Sequence, residues 1–140
     1  MTFGPIHHVA VVVASIEASL PRYAALFGLG PEADPELFVS QGVRLCFLST
    51  GPEPAARIEL IEPTDPDSGV GRYLAARGEG VHHVCLVTDD LPRSLEALAR
   101  AEAELIDHEP RQGAHGEVAF VHPRTLNGVL WELIAPDRGG

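Results

Sequence analysis

The chain contains two copies of one unit. Residues 6–20, IHHVAVVVASIEASL, and residues 81–95, VHHVCLVTDDLPRSL, align at a constant offset of 75 residues. Each copy begins with two adjacent histidines in a short apolar, β-branched run and continues into a helix-like stretch. This pattern is typical of a strand followed by a helix. Any fold of this chain therefore has to accommodate two similar supersecondary units.

The ends of the two copies also match. The first closes with Ile58-Glu59-Leu60-Ile61 and the second with Trp131-Glu132-Leu133-Ile134, and a proline follows each within two residues. Glu59 follows His8 by 51 residues, and Glu132 follows His83 by 49 residues. Each copy thus supplies a histidine on its first strand and a glutamate on its last.

The periodicity predicts an α+β protein built from two tandem βαβββ modules. We expect a single domain over residues 1–140, with a first module at 1–66 and a second at 78–137. The first helix is predicted after Ser15 with a kink at Pro21, and further helices after Ser68 and from Asp90. Strands are predicted at about 5–13, 42–49, 56–62, 81–88, 117–122 and 128–134, with weaker signals near Leu37–Ser40 and Leu105. Residues 138–140 are expected to fray.

The two glutamates are surrounded by apolar neighbours, where an ionised carboxylate is costly unless a positive charge offsets it. A bound cation would do so, and two imidazole nitrogens with two carboxylate oxygens suit Zn, Co, Ni, Mn or Fe. The alternative is a pair of structural histidines and solvent-facing glutamates. The repeat alone leaves open whether His7 or His8, and His82 or His83, would be the ligand, because neighbouring strand residues point to opposite faces.

The amino-acid composition excludes several classes of partner and mechanism. The formal net charge of −10 argues against nucleic acid as a partner. All ten basic residues are Arg, so a lysine Schiff base is excluded and an anionic substrate has to be bound by Arg, backbone N–H groups or a metal. Cys46 and Cys85 lie in apolar runs and are predicted to be reduced core thiols. Without a secretion signal or a membrane-length apolar run, a cytoplasmic location is expected.

Three segments carry a resemblance to a known family. The start IHHVAVVV, the segment EPTDPDSGVGRYLAARGEGVHHVCLVTDDL and the tail LIDHEPRQGAHGEVAFVHPRTLNGVLWEL resemble methylmalonyl-CoA epimerase, a member of the vicinal-oxygen-chelate superfamily with glyoxalase I and extradiol dioxygenases. The resemblance covers nearly the whole chain and is weakest over residues 29–40. It implies that the βαβββ modules form a curled mixed sheet around a metal-binding cleft.

The resemblance also implies the chemistry. It matches the ligands of one divalent ion, Co, Zn, Ni or Mn, to His8, Glu59, His83 and Glu132. The implied reaction inverts C2 of methylmalonyl-CoA, a 2-substituted malonyl-CoA thioester, through a metal-stabilised enolate, with Glu132 as the base. A homodimer that binds a CoA thioester is expected, without nucleic acid or membrane as a partner. The segment expected to bind the substrate carboxylate is Gly113, Ala114, His115 and Gly116, although the same residues also suit a simple turn.

Two positions depart from the family's pattern. Glu59 stands where some close epimerases carry glutamine, and in this respect the chain resembles glyoxalase I. Leu45 stands where some members carry a glutamate as the second acid/base, and a leucine cannot carry a proton. Another residue such as His115, or a water beside Leu45, would have to serve that face of the substrate.

Three other functions are known for this fold, and the presence of four candidate metal ligands counts against the second and the third. A glyoxalase I-type isomerase would use the same metal site on a glutathione hemithioacetal. An extradiol dioxygenase would normally hold Fe(II) with two histidines and one carboxylate. A non-catalytic ligand-binding protein of this fold would need no metal ligands.

Overall fold

The computed structural model describes residues 2–137 and divides the chain into two compact units. The first unit is His8–His82. The second combines Met1–His7 with His83–Gly140. The predicted fraying of residues 138–140 lies outside the described residues.

The first unit has the element order β-α-β-β-β, followed by one more helix. The elements are β1 (Phe3–Val12, of which the residues from His8 belong to this unit), α1 (Ile16–Phe27), β2 (Glu36–Phe38), β3 (Val43–Leu48), β4 (Arg57–Pro63) and α2 (Gly69–Arg77). A 3₁₀ turn at Val39–Gln41 separates β2 from β3. The strand order is β2-β3-β4-β1, in which β1 and β4 are parallel and the other neighbours are antiparallel.

The second unit repeats this arrangement. The elements are β5 (Gly80–Thr88, of which the residues from His83 belong to this unit), α3 (Leu91–Arg100), β6 (Arg111–Gly113), β7 (Gly116–Val121) and β8 (Trp131–Pro136). The strand order is β5-β8-β7-β6, again with one parallel pair, β5 and β8, and antiparallel neighbours beyond it. The predicted α+β fold of two βαβββ modules with mixed strand pairing is therefore confirmed.

The helices begin where the sequence predicts. The side chains of Ser15, Ser68 and Asp90 each accept a hydrogen bond from the backbone N–H three residues later, which satisfies one free donor of the first turn. Gly28 ends α1 in the left-handed conformation. Pro21 lies inside α1, which the structure describes as one helix from Ile16 to Phe27.

The weakest strand predictions needed correction. The strand predicted near Leu37–Ser40 is Glu36–Phe38, and Val39 already begins the 3₁₀ turn. Leu105 forms only an isolated bridge to Val121, and the short edge strand of the second unit is Arg111–Gly113. A strand of three residues is too short for alternation to identify it.

Each unit packs its helical element against one face of its strands. The core of the first unit comprises Val13, Ile16, Cys46, Leu48 and Leu60. The main core cluster of the second comprises Leu91, Leu95, Leu105, Ala119, Val121 and Leu133. Neither cysteine takes part in a disulfide and both are buried, which confirms the predicted core thiols, and burial raises the pKa of the Cys46 thiol above its usual range.

An arginine links helix α1 to the strands of the first unit. Arg44 donates to Glu17 on α1 and, at 2.8 Å, to Glu62 on β4. The other Glu62 oxygen accepts the backbone N–H of Ile16 at 3.0 Å. The hydrogen bond from Arg44 lowers the pKa of Glu17. Because residues alternate along a strand, Arg44 and Glu62 occupy the helix-covered face and leave Leu45 and Glu59 on the other.

Within residues 2–137, no helix has both the length and the apolar character that a membrane crossing requires.

Two glycines with similar positive φ angles provide a matched stability test. Gly80 has φ +156° with open space at the position of a Cβ atom, whereas Gly116 has φ +140° and an added Cβ would lie 2.4 Å from the Ala135 carbonyl oxygen. We expect Gly80→Ala to lower the free energy of unfolding by about 1–2 kcal/mol through backbone strain. Gly116→Ala should cost at least about 2 kcal/mol more, because a backbone atom has to move. Urea unfolding measures both, and equal losses would contradict the predicted close approach.

Candidate metal centre

In the first unit, a histidine and a glutamate meet on neighbouring parallel strands. Glu59 on β4 pairs in register with Ala10 on β1, two residues beyond His8 and on the same face. His8 Nε2 lies 3.5 Å from Glu59 Oε1, and the two residues are only 3% and 6% exposed. The pairing of β1 with β4 therefore creates a buried imidazole–carboxylate pair.

The second unit builds the same pair with the same register. Glu132 on β8 pairs with Cys85 on β5, again two residues beyond the histidine. His83 Nε2 lies 3.2 Å from Glu132 Oε1, with 4% and 8% of the two residues exposed. The duplicated spacing in the sequence thus corresponds to a duplicated arrangement of side chains.

The structure also decides which histidine of each doublet lies beside the glutamate. It is the second, His8 and His83, as the resemblance implied. Strand alternation directs His82 to the face opposite His83. There His82 meets the ring of Tyr73 edge-on, with the centroids 4.9 Å apart.

Each histidine also contacts a phenylalanine that the sequence analysis did not identify. Phe47 pairs in register with Glu59, and its ring meets that of His8 edge-on at 5.5 Å between centroids. Phe120 pairs with Glu132 and meets His83 in the same way at 5.6 Å. Both phenylalanines precede their glutamate by 12 residues, a spacing that could have identified them. The rings limit the rotation of the imidazoles and cover them with apolar surface.

An arginine covers each of these rings, from a different strand in each unit. In the first unit, the Arg57 guanidinium lies 5.7 Å from the Phe47 centroid and is bound by Glu32 and Glu53. In the second, the Arg111 guanidinium lies 5.0 Å from the Phe120 centroid.

The donor atoms fit a divalent cation of borderline softness. Each pair offers a ring nitrogen and carboxylate oxygens from residues that are almost fully buried, and such a carboxylate is costly without a compensating positive charge. An exposed His–Glu pair, His122 and Glu104 at 3.4 Å, lacks this burial and also contacts Arg124. Burial and register therefore distinguish the two candidate pairs from an ordinary surface pair.

The glycine-rich segment of the second unit forms the turn between β6 and β7. Gly113 and Gly116 pair with each other across Ala114 and His115. A Cβ on Gly113 would lie 2.9 Å from the Gly116 carbonyl oxygen, so close packing of the hairpin already requires glycine there. A role of this turn in substrate binding stays a prediction.

Leu45 lies on the face of the first unit that carries Glu59. It pairs with Ile61 on β4 and with Glu36 on β2, and it is 6% exposed. Residues that pair directly across antiparallel strands share a face, so Leu45, Phe47 and Glu59 form one surface.

Comparison with known proteins identifies the class. The profile of the Glyoxalase/Bleomycin resistance protein/Dioxygenase superfamily matches residues 7–120. The chain belongs to this superfamily, which confirms the predicted fold and shows that the duplicated pairs lie in a framework of the vicinal-oxygen-chelate type.

Within this class, the resemblance is to methylmalonyl-CoA epimerases. The chain is 32% identical over 136 residues to the ethylmalonyl-CoA/methylmalonyl-CoA epimerase of Cereibacter sphaeroides, and the aligned region covers 93% of this chain and 96% of that protein. It is also 38% identical over 130 residues to the uncharacterized protein YqjC of Bacillus subtilis, and the aligned region covers 92% of this chain and 90% of YqjC.

A solved structure gives the same result. A variant of methylmalonyl-CoA epimerase from Streptomyces coelicolor, in complex with 2-nitronate-propionyl-CoA, superposes with a TM-score of 0.88 at 32% identity, over 98% of this chain and 97% of that one. Other relatives and solved structures bear the same name. The predicted resemblance is confirmed, and the chain stands among epimerase enzymes.

Proposed function

We propose that this protein inverts C2 of methylmalonyl-CoA, or of a closely similar 2-substituted malonyl-CoA thioester, with one divalent ion held by His8, Glu59, His83 and Glu132. The observation that carries the proposal is the buried His–Glu pair that recurs with identical register in a chain similar over nearly its whole length to named epimerases. Two carboxylates buried at matched positions are costly unless a positive charge offsets them.

The protein's part in the proposed reaction is to hold the substrate and move a proton. When bound, a divalent ion supplies Lewis acidity for the substrate oxygens that gain charge as C2 loses its proton. Glu132 takes the proton from C2, since its carboxylate is fixed 3.2 Å from His83 Nε2 and largely removed from water. Phe120 and Phe47 hold the imidazoles in place, so the donor atoms are positioned before the substrate arrives.

The remaining parts of the proposal concern the substrate carboxylate, the oligomeric state, the cellular location and the identity of the metal. The turn Gly113–Gly116 would offer backbone N–H groups to the substrate carboxylate. A homodimer is proposed because the family resemblance implies one, and a cytoplasmic location is proposed separately. Co, Zn, Ni and Mn all suit the donor set, because nitrogen and oxygen ligands do not select strongly among them.

A glyoxalase I-type isomerisation is the second candidate, and Glu59 favours it. A carboxylate at this position is the feature in which the chain resembles glyoxalase I. Both reactions remove a proton next to a carbonyl group, so the substrate distinguishes them. Proton NMR in D₂O with methylmalonyl-CoA, and separately with a glutathione hemithioacetal, decides between them by showing which compound the metal-loaded protein converts.

The proposed metal site predicts one ion per chain. Isothermal titration of the metal-free protein with Co²⁺ should give a stoichiometry of one. Glu59→Ala and Glu132→Ala should each weaken binding by more than the roughly 10–100-fold that loss of a residue supporting a metal ligand costs. Glu104→Gln, in the exposed pair with His122, should leave the affinity unchanged. Two ions per chain, or an affinity that depends on one His–Glu pair only, would contradict a shared ion.

The assignment of Glu132 as the base predicts a separation of binding from proton transfer. Glu132→Gln should keep the fold and much of the metal, because the amide oxygen still coordinates. Exchange of the C2 proton with D₂O should fall by about 10²–10⁴-fold, because an amide is not a base at neutral pH. Glu117→Gln, an exposed position on the adjacent strand, is the control. Wild-type exchange in Glu132→Gln would move the assignment to Glu59 or His115.

Leu45 predicts unequal rates of exchange and inversion. Inversion needs a proton donor on the face of C2 opposite to the base, and Leu45 cannot supply one. We expect one enantiomer of methylmalonyl-CoA to exchange its C2 proton faster than the enantiomers interconvert. Leu45→Glu should raise inversion relative to exchange at some cost in stability, since the site is 6% exposed.

Leu45→Gln is the matched control for that experiment, because it introduces a polar group of similar size to glutamate that cannot act as an acid or a base at neutral pH. Deuterium uptake and inversion are measured on the same sample. If the wild type exchanges and inverts both enantiomers at equal rates, and changing His115 has no effect, Leu45 does not limit the reaction.

A further inference from the structure

Arg111 lies on the same face of the second unit as the buried pair. It pairs in register with Val118 on β7, and Phe120 lies two residues further along that strand. Its guanidinium lies 5.0 Å from the Phe120 centroid, and that ring meets His83 at 5.6 Å. One aromatic ring therefore separates the guanidinium from the candidate metal ligand.

Two neighbours fix the orientation of this guanidinium. The Phe120 ring supports its plane. Asp107 Oδ2 lies 3.3 Å from Arg111 Nε, and the same oxygen accepts the backbone N–H of Phe120 at 2.8 Å. Asp107 thus engages the Nε side, and within residues 2–137 no salt bridge or hydrogen bond occupies the two terminal amino groups. Those amino groups form the edge with which arginine binds carboxylate or phosphate through two hydrogen bonds.

The corresponding arginine of the first unit, Arg57, is bound by two carboxylates. Arg57 covers Phe47, but Glu32 contacts its Nε and Glu53 contacts a terminal amino group at 3.0 Å. Its charge is matched by two carboxylates, and its side chain is 27% exposed, against 44% for Arg111. Of the two arginines that cover a site phenylalanine, Arg111 is the one with neither terminal amino group bound to a carboxylate within residues 2–137.

We propose that Arg111 binds an anionic oxygen group of the substrate through its terminal amino groups, and so determines the preference for an anionic thioester. This inference rests on the proposed function. The chain has a formal net charge of −10 and no lysine, so attraction of an anionic ligand depends on individual arginines whose terminal amino groups are not engaged by carboxylates. The ligand group is a carboxylate or a phosphate, and a malonyl-CoA thioester carries both, at opposite ends.

The experiment compares Arg111→Gln with the wild type on two substrates, both with metal-loaded protein. The first is methylmalonyl-CoA, and the second is methylmalonyl-pantetheine, which keeps the carboxylate and lacks all phosphates. Loss of a charge-assisted hydrogen-bonded contact should raise KM about 10–100-fold, with a smaller change in kcat. An increase for both substrates identifies the carboxylate as the bound group, and an increase for the CoA thioester alone identifies a phosphate. Arg111→Lys should recover part of the loss, because it restores the charge but not the two-point geometry.

Further measurements separate binding from a structural role. Arg111→Gln should keep the wild-type melting temperature within a few degrees and the wild-type affinity for Co²⁺. The wild type should lose substrate affinity as salt is raised, and the variant should lose much less. Arg124→Gln, an exposed arginine that also pairs with one carboxylate, Glu104, is the matched control and should keep the wild-type KM.

Two outcomes would overturn the inference while leaving the proposed function intact. One is an active wild type whose KM for both substrates is unchanged in Arg111→Gln. The other is a variant that loses Co²⁺ affinity and thermal stability together with activity, which would assign Arg111 to the support of His83. If the wild type itself neither exchanges nor inverts methylmalonyl-CoA, the proposed function is wrong, and that result is visible before any variant is compared.

Discussion

A carboxylate on an interior strand needs a partner, and this requirement explains the topology of each unit. Glu59 and Glu132 are less than a tenth exposed, and each has an imidazole within 3.5 Å on the neighbouring parallel strand. Parallel strands cannot be joined by a tight turn, so the chain has to leave the sheet and return between them. The helix and the two further strands of each βαβββ unit form that connection. The helix also covers the face opposite to the carboxylate, where Arg44 and Glu62 secure α1 in the first unit.

The two units keep the inner pair alike and differ at their edges. His, Phe and Glu occupy the same register positions in both. On the short edge strands, Glu36 pairs with Leu45 in the first unit, and Arg111 pairs with Val118 at the corresponding position of the second. One edge thus presents a carboxylate and the other a guanidinium. Inner strands are constrained on both sides by hydrogen bonding and packing, whereas an edge position can change its charge without disturbing the pair. Differences in substrate recognition are therefore easier to introduce at β2 and β6 than at the ligand positions.

The parts of the site that could be predicted are those set by local pattern and repetition. The caps at Ser15, Ser68 and Asp90 are local, and the matched spacing of His8–Glu59 and His83–Glu132 is visible in the chain itself. The choice of His8 over His7 came from the family resemblance, since only strand register fixes it physically, and register depends on residues about 50 positions away. The edge strand at Arg111–Gly113 was missed because three exposed or half-buried residues carry no periodicity. The contact of Arg111 with Phe120 was out of reach as well, since the direction of a long side chain depends on its cross-strand partner.

The burial that makes these carboxylates costly also suits them to the proposed chemistry. Water solvates and weakens an exposed carboxylate as a base, and it competes for any ligand oxygen near it. Glu132 sits on a strand between Trp131 and Leu133, so its position is fixed by the β5–β8 and β7–β8 ladders rather than by a mobile loop. A group held in this way can act on only one face of a bound carbon, because a strand cannot swing to the other. A proton for the opposite face has to come from a different element, and Leu45 removes one strand position from that role. The buried pairs alone therefore do not determine the stereochemistry of the proposed reaction. That property depends most on the side chains around them.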